Sequence, residues 1–416
     1  MSSSSKLSHL STVVGKRDTS LGLNLSSAQA INLPANTKSE ILIIPSTSAP
    51  AFGSYFVLDF REKNCMVNEF VINYNATAIT GRSGDATNYP RFSPASFWAS
   101  RIEVVINGTV VDTIYNTQQF VMKQLSQENE DRILTNSGEG NYASGAQRRT
   151  LASTASQNYY VKLKTLFDAI NYPVFAEQHA IQLRVYMDSL ANVVALSGGT
   201  GTAVATLNSC NLIAKITRLS SEMVANRSAL MTRTPEHSIF HQLRYGTFTV
   251  NSGVSSTSIV LTPIVGNVAF IFFVVRTATA MTMDSAFVFN AIKNFAIIDN
   301  GGANCVGGQA IPSALCLQYL MRNWSRSSYT AETSVGSNID GSVSDNGANV
   351  YGWSFSSAPC EALDSGVLLG SRRFQGSEQL QIEFPSSLGA GVQVDVFAYC
   401  EAVLEQGSNL VKVHAL

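Results

Sequence analysis

Catalysis needs ionisable or nucleophilic side chains that converge, so the histidines are the first residues to weigh. There are five: His9, His179, His237, His241 and His414. Only His237 and His241 are close in sequence, within Glu236-His237-Ser238-Ile239-Phe240-His241. A spacing of i and i+4 puts two imidazoles on one face of a helix, where they could chelate a metal, but the HExxH order is absent. The pair also falls at the expected junction between domains, where polar residues belong anyway, so no metal site is assigned. The cysteines, Cys65, Cys210, Cys305, Cys316, Cys360 and Cys400, include no CxxC pair and read as buried free thiols of a reducing compartment. No GxSxG elbow, P-loop or dinucleotide-binding glycine motif stands in the required strand-turn-helix setting. Gly198-Gly199-Thr200-Gly201-Thr202 lacks the lysine and the following apolar helix of a phosphate site and reads as a loop. Acidic residues are dispersed singly, so no acid pair for glycoside cleavage is nominated. The basic doublets Arg148-Arg149 and Arg372-Arg373 read as solvated loop charge or as intersubunit ion pairs. The expectation is a protein that is not an enzyme, with no catalytic, cofactor or metal residues.

The elements that would have to carry any site are those of a weakly charged chain. Of 416 residues only 14% are charged, with 28 Lys and Arg against 29 Asp and Glu, where soluble domains carry about 25%. A hydrophobic fraction of 45% and a net charge of −1 exclude disorder and a basic nucleic-acid binder. The longest apolar run, Val268 to Val275, is closed by Arg276 and is far short of the roughly 20 residues of a spanning helix. Met1 to Lys6 is followed by Ser, His and Thr, so no secretory signal is read there. Low charge lowers the desolvation cost of burying surface between subunits, and Ser, Thr and Asn can hydrogen-bond across an interface without stranding an ion. The few charges are expected at intersubunit pairs and on outward loops.

Residues 1–30 form a Ser-rich leader, read either as an arm that orders on a partner or as a frayed terminus. From Ile31 onward short β-branched and aromatic runs alternate with Gly, Pro, Asn and Ser clusters, the pattern of an all-β chain. Several features recur in the same order about 190 to 202 residues apart. Phe70 to Thr80 (FVINYNATAIT) matches Phe272 to Thr282 (FFVVRTATAMT). Ile102 to Gly108 (IEVVING) matches Phe295 to Gly301 (FAIIDNG), each ending in an Asn-Gly hairpin signal. A helix is expected over 117–134 in the first half and over 313–323 in the second. Each runs into a long polar loop, Thr135 to Asn158 and Ser325 to Asn349, and then an aromatic-led strand at Tyr159 or Val350. Ala180 to Val185 is echoed by Gln379 to Phe384. The chain therefore reads as two copies of one β-domain, with a junction near Thr232 to His237. Many short strands and one inserted helix per copy favour a jelly roll or sandwich over a propeller, whose blades repeat every 40 to 50 residues or so.

This arrangement resembles the double jelly-roll major capsid proteins of the lineage that joins tailless icosahedral phages, adenovirus hexons, virophages and polinton-like viruses. The stretch Tyr89 to Leu125 (YPRFSPASFWASRIEVVINGTVVDTIYNTQQFVMKQL) is most similar to it. The resemblance implies two tandem eight-stranded jelly rolls, over 31–232 and 233–416, behind an N-terminal arm over 1–30. It implies a structural subunit of the icosahedral capsid of a DNA virus: a homotrimer with pseudo-hexagonal outline that meets neighbouring capsomers, penton and minor capsid proteins. It also implies towers built by the two long loops, and an inward arm that can reach an internal membrane. The alternative is a glycan- or receptor-binding β-sandwich, a spike or adhesin, with Tyr142, Tyr159, Tyr160, Trp324, Tyr329, Tyr351 and Trp353 available to stack on sugars. Tyr160 and Trp353, which open strands, are expected in the core instead.

Overall fold

The computed structural model of the chain describes residues 38–83, 91–93, 95–126, 138–139, 156–195, 200–277, 289–316, 349–357, 368, 370–408 and 410–416. The leader over 1–30, most of both long loops, Arg148-Arg149, Tyr142, Trp324, Tyr329 and Cys360 lie outside them.

In the first half the elements are β1 (Lys38–Pro45), β2 (Tyr55–Phe60), β3 (Cys65–Ala76), β4 (Thr80–Ser83), β5 (Arg91–Phe92), β6 (Ala99–Ile106), β7 (Thr109–Tyr115), α1 (Asn116–Ser126), β8 (Gln157–Leu163), α2 (Leu166–Ala169), β9 (Tyr172–Val174), β10 (Ile181–Met187), α3 (Leu190–Val193), β11 (Val194–Ala195), β12 (Thr200–Val204), β13 (Leu207–Arg218) and α4 (Ser221–Arg233). The second half has β14 (Glu236–Val250), β15 (Ser256–Val260), β16 (Val265–Thr277), β17 (Asn294–Ile298), β18 (Ile311–Pro312), β19 (Val350–Ser354), β20 (Arg372–Gln375), β21 (Gln379–Glu383), β22 (Val392–Gly407) and β23 (Leu410–Ala415).

These strands form two sandwiches with one topology. The first pairs a sheet β1-β13-β3-β8 with a sheet β2-β10-β6-β7, and the second pairs β14-β22-β16-β19 with β15-β21-β17-β18. Each half thus repeats the same order of eight antiparallel strands, that of a jelly roll, and the chain is an all-β double jelly roll. Even the strand added beside the third position recurs, as β9 on β3 and as β20 on β16. Alternation sets which residues enter each core. In β10, Ile181, Leu183 and Val185 are buried, whereas Gln182, Arg184 and Tyr186 are only partly covered. Trp98 anchors the first core, with Tyr159 and Phe92 against it at ring-centroid distances of 4.7 and 5.0 Å.

The apolar run Val268 to Val275 has a structural reason. It lies in β16, inside a sheet covered on both faces, so no position needs a polar side chain. Phe273 faces Phe295 of the opposing sheet at 5.2 Å, while Phe272 stacks on Phe397 at 5.1 Å on the other face.

That geometry corrects one sequence match. In β3 it is Phe70 that faces the opposing sheet, packing on Phe60 at 5.7 Å. Phe70 faces inward where its match Phe272 faces outward, so the two Phe-led segments are aligned in the wrong parity. The match of Ile102 with Phe295, by contrast, joins two residues buried in their cores. The two Asn-Gly signals also differ. Asn107 and Gly108 both take positive φ, +50° and +76°, the two-residue hairpin turn expected of Asn-Gly. Asn300-Gly301 sits in a wider turn, in which Asp299 Oδ1 accepts from the N–H groups of Gly301 and Ala303 at 3.0 and 2.9 Å. Helix α1 ends its described course at Ser126, and the second helix is described over 313–316, so the remainder of both expected helices lies outside the described residues.

Candidate assembly surfaces

The histidine pair is settled by secondary structure. His237 and His241 lie on strand β14 rather than on a helix, so four residues of extended chain separate them by about 13 Å and they cannot share one ion. Across the ladder they oppose Glu405 and Glu401. Among the described residues no three His, Cys, Asp or Glu side chains cluster as metal ligands. Cys65, Cys210, Cys316 and Cys400 are buried free thiols, and Cys305 is half-buried. Burial pushes the thiols of Cys65, Cys316 and Cys400 up to about 12, which keeps them protonated and poor nucleophiles.

Strand parity separates Tyr159, a core residue, from Tyr160, which stands on the outer face; on β19 Tyr351 is buried and Trp353, of the same parity, packs half-buried against the second core. The core assignment thus passes from Tyr160 to its neighbour Tyr159. Charges are also placed differently from expectation, because many are paired inside the chain. Arg372 and Arg373 lie on β20, not in a loop, and Arg372 meets Asp299 at 2.9 Å. Arg227 of α4 grips Glu236 of β14 through Nε and a second nitrogen at 2.7 and 2.8 Å. Arg218 bridges Glu40 and Glu62.

The most constrained surface is the seam where the first roll meets the second. Strand β14 is an edge strand, and β7 with the two helices that follow closes it. Gln242 Nε2 donates to the Val111 carbonyl at 2.9 Å, Tyr115 packs on Tyr245 at 4.3 Å, and the Gln118 amide reaches the Tyr399 hydroxyl. Asp112 of β7 accepts from the Thr113 N–H at 2.9 Å, and the backbone N–H groups of Leu166 in α2 and Leu243 in β14 also favour its carboxylate, so one carboxyl faces three elements and both rolls. Burial outweighs those donors and pushes this carboxyl up to about 7. Beside it is a cavity of about 30 Å³, lined also by Lys164, Phe240 and His241 and large enough for a single water. Further along the same sheet Arg276 Nε and Asp395 Oδ2 form a buried ion pair at 2.5 Å, and the Tyr245 hydroxyl donates to the other Asp395 oxygen at 3.0 Å. Sequence inspection found neither Asp112 nor this pair. Isolated acids give no signal until the tertiary fold buries them.

The first roll's own edge strand, β1, is different. Among the described residues it pairs with β13 alone, and Ile41 and Ile43 are 69% and 68% exposed. Ile43 stands opposite Ile213, and Ile213 opposite Val71, which makes an apolar row across the sheet's outer face.

No family model and no curated protein matches the sequence. Among solved structures, the PBCV-1 capsid protein VP54, as fitted into a reconstruction of the virophage Sputnik, is similar with a TM-score of 0.62 at 14% identity, over 92% of this chain and 98% of that one. The Faustovirus major capsid protein is similar with a TM-score of 0.62 at 10% identity, over 98% and 99%. The mavirus major capsid protein gives 0.55 at 11% identity, over 92% and 91%. With its two eight-stranded rolls in the same order, this chain has the double jelly-roll fold of those viral major capsid proteins.

Proposed function

We propose that the chain is a major capsid protein: three copies form a pseudo-hexagonal capsomer, and capsomers build the icosahedral shell of a DNA virus. The observation that carries the reading is the extent of the likeness, which spans nearly the whole of this chain and nearly the whole of the VP54 and Faustovirus chains. The two rolls are assigned to 31–232 and 233–416, with 1–30 as an arm toward neighbouring subunits, penton or minor capsid proteins, or an internal membrane. The protein would reside in the virion, with no enzymatic role and no sequence-specific contact to nucleic acid. The weakly charged surface supports a subunit whose faces are covered by copies of itself. Size-exclusion chromatography with negative-stain imaging tests this. Trimers of hexagonal outline, or closed shells, are expected; a monodisperse monomer that binds glycans would overturn the proposal.

A further inference from the structure

Away from Asp112, the two rolls meet along a second line, where β9 and the single 3-10 turn that follows it (Glu177–His179) pack on the end of β22 and on β23. Two hydrogen bonds cross this line. Gln406 Nε2 donates to the Pro173 carbonyl at 2.6 Å, and His179 Nε2 lies 2.8 Å from the carbonyl oxygen of Gly407, the last residue of β22. His179 is 1% exposed. Its other ring nitrogen, Nδ1, accepts from the Phe175 N–H at 3.3 Å, so the proton belongs on Nε2 and the imidazole is neutral. One nitrogen shapes the ring's own turn, and the other holds the opposite roll.

A second proton has no place in this arrangement. On Nδ1 it would confront the Phe175 N–H, donor against donor. Among the described residues, the charged groups on the surrounding elements are already engaged or face solvent. Glu236 of β14 is gripped by Arg227, and Glu405 of β22 meets His414 of β23 at 2.6 Å. Glu177 lies 4.0 Å from Lys63, Lys412 of β23 is exposed, and His237 of β14 opposes Glu405. Tyr172 of β9 adds only a phenol, its ring 6.5 Å away and its own pKa raised by burial. Burial of the imidazole outweighs the Gly407 carbonyl and the field of Glu236, and holds its pKa below the ordinary 6.5.

We infer that His179 is an acid-sensitive latch between the two rolls: neutral, it clasps Gly407, and protonated, it releases the β9 side of the first roll from β22 and β23. The sign follows from linkage. A group that binds its proton more weakly when closed than when open stabilises the closed seam above about pH 6.5, and that stabilisation is lost as pH falls. Each opening takes up one proton, so the opening constant rises by at most about tenfold per pH unit. In a shell built from this chain, as proposed above, acid would loosen every subunit from within. The latch lies inside one chain, so its test stands or falls apart from the shell proposal.

Asp112 titrates with the opposite sign, so a global melt would mix the two groups, and a local readout is needed. Hydrogen exchange of the full chain, followed by mass spectrometry between about pH 7.5 and pH 5 and expressed as protection factors, supplies it. Segments 172–180 and 410–415 are expected to lose protection as pH falls, by up to about tenfold per unit, while 70–74 and 270–275 in the two cores hold theirs. His179→Gln keeps a donor for the Gly407 carbonyl but takes up no proton, so it should abolish the acid response; His414→Gln should leave it intact. Protection that is independent of pH in the wild type, a loss shared equally by both cores, an acid response that survives His179→Gln, or one removed by His414→Gln would each overturn the inference. Should His179→Gln fail to fold, the wild-type profile and the His414→Gln control still decide the matter.

Discussion

Asp112 is placed where burial and hydrogen bonding oppose each other. Three backbone donors favour the carboxylate, desolvation favours the acid, and desolvation prevails, so the group titrates at about 7 instead of near the ordinary 3.8. A folded-state pKa above the unfolded one means that the native protein holds the extra proton. The stabilisation is fully present below about pH 4 and is lost as pH rises through 7. Asp168, raised by burial to about 6, adds to the same slope. Asp112→Asn keeps an acceptor oxygen without the charge, so at pH 8 it should be more stable than wild type by about 4 kcal/mol, with little difference at pH 4. Thermal melts at the two pH values measure this, and a variant that keeps the full wild-type slope would refute the assignment. The Arg276–Asp395 pair predicts the opposite sign. Either partner replaced alone, as in Arg276→Met or Asp395→Leu, strands a buried charge and should cost about 3–5 kcal/mol, whereas the double replacement should recover most of it. Urea titration of all four proteins closes that cycle.

At the scale of elements, close approach of backbones is decisive. Gly352 of β19 sits against β16 so tightly that an added Cβ would lie 2.5 Å from the Ile271 carbonyl oxygen and 2.8 Å from the Phe272 Cβ. The Cys316 thiol occupies the adjoining space, with its sulfur 3.3 Å from both the Gly352 nitrogen and oxygen. Gly352→Ala must push β19 off β16 and is expected to destabilise by about 1–3 kcal/mol, read as a lower urea midpoint. A midpoint equal to wild type would show that the ladder has slack. The glycine was visible in the sequence between Tyr351 and Trp353, but its need was not, because the clash comes from a strand some 80 residues away.

At the scale of the molecule the rolls exchange parts of their cores. Phe240, Ala402, Leu404 and Val411 belong to the core built on the first roll, and Val121 and Met122 of α1 to the core built on the second. Neither roll buries its apolar surface without the other. Calorimetry should therefore show one cooperative transition for the whole chain, and 31–232 and 233–416 expressed separately should aggregate or lack a sharp transition. Two independent melts, or two well-folded halves, would show the seam to be weak. The all-β class and the two-fold recurrence of strand order were legible from residue order alone, because strand periodicity, turn residues and motif spacing are local properties. Which face each residue takes was not. Phe70 faces its core where its match Phe272 faces outward, and Tyr159 enters the core in place of Tyr160, because a one-residue slip reverses every side chain and only the pairing between distant strands sets it. The seam that buries Asp112 joins residues more than 100 positions apart, as Gln242 with Val111 and Gln118 with Tyr399, so burial across it is a property of the fold and of no shorter segment.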